Sequence, residues 1–202
     1  MKEQLQKDFD NSIKNLSLSQ KDIEIKKFCL DNFLEKGFPN RKEEDWKFSD
    51  LNQIIKNNIG ELSFYNDQAS TNKVDTSVFV DGLEHNKIVF INGRIEKIDF
   101  EYEKKDQIEI IDQSETINEF KNSNSLSDLN NAFTNKCFKI LVKKGYQLAK
   151  PLIIYHTTNS KIWSKNINLR LNFELDKDSS LRLIDLFNDC LLYTSPSPRD
   201  TG

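Results

Sequence analysis

The sequence predicts an α+β protein, helical at its N-terminus and β-rich beyond residue 136. Two periods and one turn carry that expectation. Leu5, Phe9, Ile13 and Leu16 recur at helical spacing. After Phe138 the period drops to two, and Ile167, Leu169, Leu171, Phe173 and Leu175 alternate strictly with polar residues. Between these regions IVFINGRIEKIDF, residues 88–100, places two β-rich runs around Asn92-Gly93, the dipeptide of a type I′ hairpin.

The elements follow in chain order. After the first helix, a second starts near Ser19, with Asp22 three residues on as a weaker capping box. Its apolar positions are Ile23, Ile25, Phe28, Cys29, Leu30, Phe33 and Leu34. Gly37 stands where a left-handed residue closes a helix, and Pro39 follows as a stop. The stretch GFPNRKEEDWKFSDL, residues 37–51, then reads as a joint. Asn40 and Glu43 have N-cap and N3 spacing, and Glu43, Glu44 and Asp45 suit the positive end of a helix dipole. Ser49 is the expected cap of a further helix carrying Leu51, Ile54, Ile55 and Ile59. Phe38, Trp46 and Phe48 are expected as apolar plugs between helices, so that Trp46→Ala would cost roughly 3–5 kcal/mol. The rival expectation makes the stretch a binding epitope with Trp46 as an exposed anchor.

Residues 60–86 are polar and weakly periodic, as in a loop or linker. Residues 107–135 are mixed, with helical potential in SETINEFKN and SLSDLNNAF. FKILVKKG, KPLIIYHTT, NINLRLNFEL and SSLRLIDLF then read as successive strands. They are punctuated at Gly145, Lys150-Pro151 and Asp176-Lys177-Asp178. Short strands with short turns suit a sandwich, a barrel or a β-helix, and the period alone does not choose. The expected organisation is a helical region over 1–60, a linker over 61–86, a mixed region with the hairpin over 87–135, and a β core over 136–189.

Residues 190–202, CLLYTSPSPRDTG, depart from this style. They contain no Asn, Lys or Ile, in which the first 189 residues are rich, and they hold two of the four prolines. Cys190 to Asp200 can be encoded by a string matching a common transposase adapter of sequencing libraries. The expectation is that the native frame ends near Asp189 and that this tail, Cys190 included, is translated adapter.

With 202 residues the chain can bury a sizeable core. A net charge of −3 and a pI near 5.6 argue against broad electrostatic binding to nucleic acid or anionic lipid. No apolar run approaches the ~20 residues of a membrane helix, and the N-terminus lacks the apolar core of a secretory signal. A cytoplasmic location is expected. Cys29, Cys137 and Cys190 are too widely spaced for a metal clip or a disulfide framework. Cys29, on an apolar helix face, is expected to be a buried inert thiol.

Signals of chemistry are sparse. The sequence has neither a P-loop nor a GxGxxG cradle, and no nucleophile elbow. His85 and His156 are its two histidines, and neither lies near a cysteine in sequence. His156, at a strand end, is a minor candidate for metal or acid–base work. Glu174, Asp176, Asp178 and Asp185 would have to converge on one groove to act as paired carboxylates on carbohydrate. Aspartates in a DKDS turn are ordinarily turn formers. Lys104-Lys105 and Lys143-Lys144 read as solvated faces.

At Gly37, Pro39, Arg41, Lys42, Glu44, Trp46, Lys47 and Phe48 the chain resembles the SufD members of the SufBD family, scaffold components of iron–sulfur cluster assembly. VFINGR (89–94), LNNAF (129–133) and KPLIIYH (150–156) follow in the family's order. The resemblance covers essentially residues 20–189. It implies an N-terminal helical region followed by a parallel β-helix, whose first coils would fall in 136–189. It also implies a non-catalytic scaffold role beside a SufB-like subunit and a SufC-like ATPase, with the Fe–S cluster assembled by the full complex. The later coils and C-terminal region of the family have no counterpart here, so no catalytic, cofactor-binding or metal residue is carried over. No cluster ligation is expected of this chain, since only Cys29 and Cys137 look native. A β-helix cut after its strand at 181–187 would leave an open end, marginally stable and prone to aggregate.

Overall fold

The computed structural model of the chain describes residues 2–14, 16, 18–58, 62–64, 74–113, 124–158 and 166–188. Ile59, SETINEFKN (114–122) and the tail 190–202 lie outside the described residues. Four helices, α1 (Lys2–Lys14), α2 (Gln20–Lys36), α3 (Leu51–Asn58) and α4 (Ser125–Phe133), gather the N-terminal core. Ser19 caps α2 as expected. Its Oγ accepts the Asp22 N–H at 3.2 Å, and its hydroxyl donates to the Asp22 carboxylate at 2.5 Å. Gly37 closes the helix with φ 72°, its N–H donating to Phe33 O at 2.7 Å. Leu5 and Phe9 of α1, Leu30 and Phe33 of α2, and Phe133 of α4 are all nearly inaccessible. Fully burying such a side chain contributes about 1.5–3 kcal/mol. Although α4 lies far along the sequence, it packs directly on α2 and closes the helical core.

Among the described residues the β part has two sheets. The first has the order β2 (Arg94–Asp99), β1 (Asn86–Ile91), β5 (Leu152–Thr157), β7 (Leu183–Phe187). The second has the order β3 (Ile108–Asp112), β4 (Lys136–Val142), β6 (Leu169–Leu175). Each begins with an antiparallel strand and continues in parallel. Asn92 and Gly93 turn the β1–β2 hairpin with φ 52° and 78°, the left-handed pair of a type I′ turn. From β4 onward the chain alternates sheets, so β6 lies in register beside β4 (Phe138 opposite Leu171) and β7 beside β5 (Ile154 opposite Asp185).

Alternation decides which side chains fill the space between sheets. Ile88, Phe90, Phe138, Ile140, Val142, Leu152 and Ile154 form that core, with Leu169, Leu171 and Phe173 packed against it. The opposite parity of β1 and β5 puts Val89, Ile91, Ile153 and Tyr155 on the outer face of the first sheet, under Val74 and Phe79. Residues 74–85 carry only a short 3₁₀ turn, Thr76–Val78, yet they cover an apolar face.

Candidate functional site

The stretch 37–51 divides in the structure. Phe38 is a plug, 5% exposed and edge-on to Phe33 with ring centroids 5.0 Å apart. Trp46 ends a 3₁₀ turn, Glu44–Trp46, and is only half-buried, so its truncation opens a smaller cavity than a core position would. Phe48 corrects the expectation outright, since its ring is 91% exposed. The reason is the local backbone. The 3₁₀ turn spends its hydrogen bonds within 43–49, with Trp46 N–H on Glu43 O and Ser49 N–H on Trp46 O, and Phe48 is left on the outer side of the bend. Asp50, not Ser49, caps α3 through Oδ1, which accepts the Gln53 N–H at 3.1 Å. Glu43 reaches back to the Asn40 N–H at 3.2 Å, a reciprocal contact of the capping-box kind. Beside this bend lies an open groove of about 240 Å³, lined by Arg41, Phe48, Ser49, Asp50, Gln53, Ile54 and Asn57.

A second polar cluster sits where α2 meets α4 and the outer face of the second sheet. Lys26 is 2% exposed. Its ammonium donates to the carbonyls of Asn131 and Ala132 at 3.3 Å and of Thr134 at 2.5 Å. These carbonyls belong to the C-terminal end of α4, where the helix leaves acceptors unsatisfied and a cation is favoured. Burial nevertheless lowers the Lys26 amine from 10.5 to about 8, against the raising effect of Cys29 and Asp22. Arg170 of β6 joins the same seam, donating to Asn131 Oδ1 at 2.7 Å and Asn172 Oδ1 at 3.1 Å. Asn172 in turn donates to Cys137 Sγ at 3.5 Å. Cys29 is buried, as expected, and desolvation pushes its thiol up to about 11. Desolvation raises Cys137 too. Together these bonds tie α2 to the end of α4, and α4 to the second sheet.

The histidines have separate settings. His156 stacks between Phe90 and Phe187, with centroids 5.3 and 4.4 Å away, and its Nε2–H donates to Asp185 Oδ1 at 2.8 Å. His85 is 3% exposed. Its Nδ1 lies 2.5 Å from Leu83 O, which can only accept, so Nδ1 carries a proton, and Nε2 shares a hydrogen bond of 2.7 Å with the Tyr155 hydroxyl. The same hydroxyl oxygen accepts the Val80 N–H at 3.1 Å, pinning 74–85 to the sheet. The four acids of the carbohydrate alternative do not meet. Glu174 pairs with Lys139 on the outer face of the second sheet, Asp185 with His156 in the first, and Asp176 and Asp178 shape the turn after β6. Of the four lysines expected on solvated faces, Lys143 pairs with Glu109 at 2.7 Å.

Glu103 escaped the sequence reading. Its Oε1 accepts from Asn86 Nδ2 at 2.6 Å and Lys150 N–H at 3.2 Å; its Oε2 accepts from Tyr146 OH at 2.7 Å and Ala149 N–H at 3.2 Å. Nothing local marks that carboxylate, because all four donors lie far from it in sequence. Among the described residues no group of three His, Cys, Asp or Glu side chains could hold a metal ion, and no helix is long and apolar enough to cross a membrane. No family model matches the chain, and no curated protein matches it.

Proposed function

We propose that the chain is a non-catalytic scaffold component of an iron–sulfur cluster assembly complex, similar to SufD, acting beside a SufB-like subunit and a SufC-like ATPase. The observation that carries the reading is the in-register parallel addition of β6 to β4 and β7 to β5, with Leu169, Leu171 and Phe173 of β6 packed between the sheets. Such stacking is how a solenoid buries its core, one coil against the next. The reading takes 136–189 as the first coils of a parallel β-helix. It takes the antiparallel strands β2 and β3 as the start of the two sheets. The ordered run of GFPNRKEEDWKFSDL, VFINGR, LNNAF and KPLIIYH supports the same assignment. In this role the chain supplies geometry and surface, the partner ATPase turns over nucleotide, and the cluster is cargo of the complex.

The test is copurification from the source organism. A tag placed at the genomic N-terminus should bring down a SufB-like protein and a SufC-like ATPase in stable stoichiometry. Recovery of the tagged protein, folded and free of both, would overturn the assignment.

A further inference from the structure

We propose that β2, the outer strand of the first sheet, pairs antiparallel with β2 of a second copy of the chain, joining two first sheets across a two-fold axis. This pairing does not depend on the scaffold reading. Among the described residues no strand lies beyond β2 in the order of its sheet. The backbone groups of Arg94–Asp99 that point away from β1 form the kind of edge on which another strand pairs.

The order of side chains makes that other strand a second copy. The strand reads Arg-Ile-Glu-Lys-Ile-Asp. Turned end over end beside itself, it sets Arg94 against Asp99, Ile95 against Ile98 and Glu96 against Lys97, each contact made twice, as an isologous interface requires. Cross-strand partners must also share a face, and in a regular strand residues 95 and 98 would point to opposite faces. A β-bulge removes that conflict. Lys97 lies opposite Val89 but Ile95 lies opposite Phe90, so Glu96 is the extra residue. Ile98, opposite Ile88, and Ile95, opposite Phe90, therefore share the inter-sheet face. Arg94, opposite Ile91, and Asp99, opposite Lys87, share the outer one. Ile98 is 48% exposed although Ile88 beside it is fully buried, and Ile95 of the second copy covers it.

Charge also fixes the register. A slip of two residues sets Arg94 against Lys97 or Glu96 against Asp99, like against like. Lysines and bulges on an edge ordinarily turn other strands away, and here they leave the chain's own strand as one that fits. Asp99 already meets Lys97 at 3.3 Å and Lys87 at 3.9 Å. Its two oxygens offer about four lone-pair sites, so Arg94 of the second copy joins these lysines without displacing them. Arg94 and Glu96 likewise keep interactions within their own chain. A six-residue edge buries much less than the roughly 800 Å² per partner of a stable complex, so the dimer is weak.

The test is sedimentation equilibrium of the 202-residue chain. A reversible monomer–dimer equilibrium with Kd of roughly 10–100 µM is expected in about 50 mM salt, weakening about threefold or more in about 500 mM salt. Arg94→Asp and Asp99→Arg should each weaken self-association about tenfold or more, since each sets like charges opposite one another at both ends of the pairing. Mixed together, the two variants should associate as the parent does, because unlike charges then meet again at both ends. Circular dichroism establishes that each variant is folded. The parent alone gives a second reading, hydrogen exchange at the β2 amides, which should slow as concentration rises through the Kd. The pairing is overturned if the parent stays monomeric up to about 1 mM or assembles beyond a dimer. It is equally overturned if folded variants fail to recover association on mixing, or if exchange in β2 is independent of concentration.

Discussion

Replacing Lys26 by methionine isolates the cost of one buried charge. The ordinary lysine value is 10.5 and burial brings Lys26 to about 8. At about 1.36 kcal/mol per unit, the ammonium in its folded site is disfavoured by about 3 kcal/mol relative to water. Below pH 8 the amine is protonated in both the folded and the unfolded chain, and the folded state carries that whole penalty. Between about 8 and 10.5 the unfolded chain binds more protons than the folded one, so stability rises with pH. Above 10.5 the penalty is gone. Lys26→Met has no such titration, but it leaves the carbonyls of Asn131, Ala132 and Thr134 without their donor. Those acceptors cost the variant about 1–3 kcal/mol, which the removed charge penalty of about 3 kcal/mol offsets, so parent and variant should be close in stability at pH 7. Urea unfolding of both proteins, followed by circular dichroism between pH 7 and 10, provides the measurement. Titrations common to both cancel in the difference, which should shift by about 2–3 kcal/mol in favour of the parent over that range. A difference flat with pH would refute the account of Lys26 as a desolvated ammonium.

Gly93→Ala should cost about 1–3 kcal/mol, because φ is 78° there and the added Cβ would lie 2.6 Å from Ile167 Cγ2. A melting temperature equal to that of the parent would count against the hairpin geometry. Tyr155→Phe removes the hydroxyl shared by His85 and Val80 and should cost about 1–2 kcal/mol. Its fingerprint is faster hydrogen exchange at the Val80 amide, and unchanged protection there would contradict the pinning of 74–85. At Glu103, burial alone pushes the carboxyl up, but the bonds from Tyr146, Asn86 and the Ala149 and Lys150 amides outweigh it and hold the group below its ordinary 4.5. The stability it contributes is therefore complete above about pH 4.5 and is lost as pH falls through the lower folded value. Glu103→Gln should flatten that limb of the acid unfolding curve; a curve superimposable on the parent's would show that the four bonds do not act on the charged form.

Local signals settled much of this architecture. Ser19, Gly37, Asn92 and Gly93 act through bonds and dihedrals within a few residues of themselves, so their roles are legible without the fold. The period-two run of Ile167 to Leu175 likewise names its own inward face. The strand Ile108–Asp112 carries the same alternation at Ile108 and Ile110, but it is short and acidic, and only pairing with β4 makes it a strand.

Other features depended on residues brought together from far apart in the chain. Phe48 carries the same apolar signal as Phe38, yet the hydrogen bonds of one 3₁₀ turn expose the first ring and α2 buries the second. Lys26 reads as a surface lysine until α4, some hundred residues on, lays its terminal carbonyls against it. The Glu103 carboxylate gains its meaning only when β1 and the turn before β5 converge on it. By itself, then, the amino-acid order determined caps, turns and alternation, which are short-range steric and hydrogen-bonding matters. The packing of distant elements decided which charges are buried and which apolar groups face water, since desolvation depends on everything that surrounds an atom and not on its neighbours in sequence.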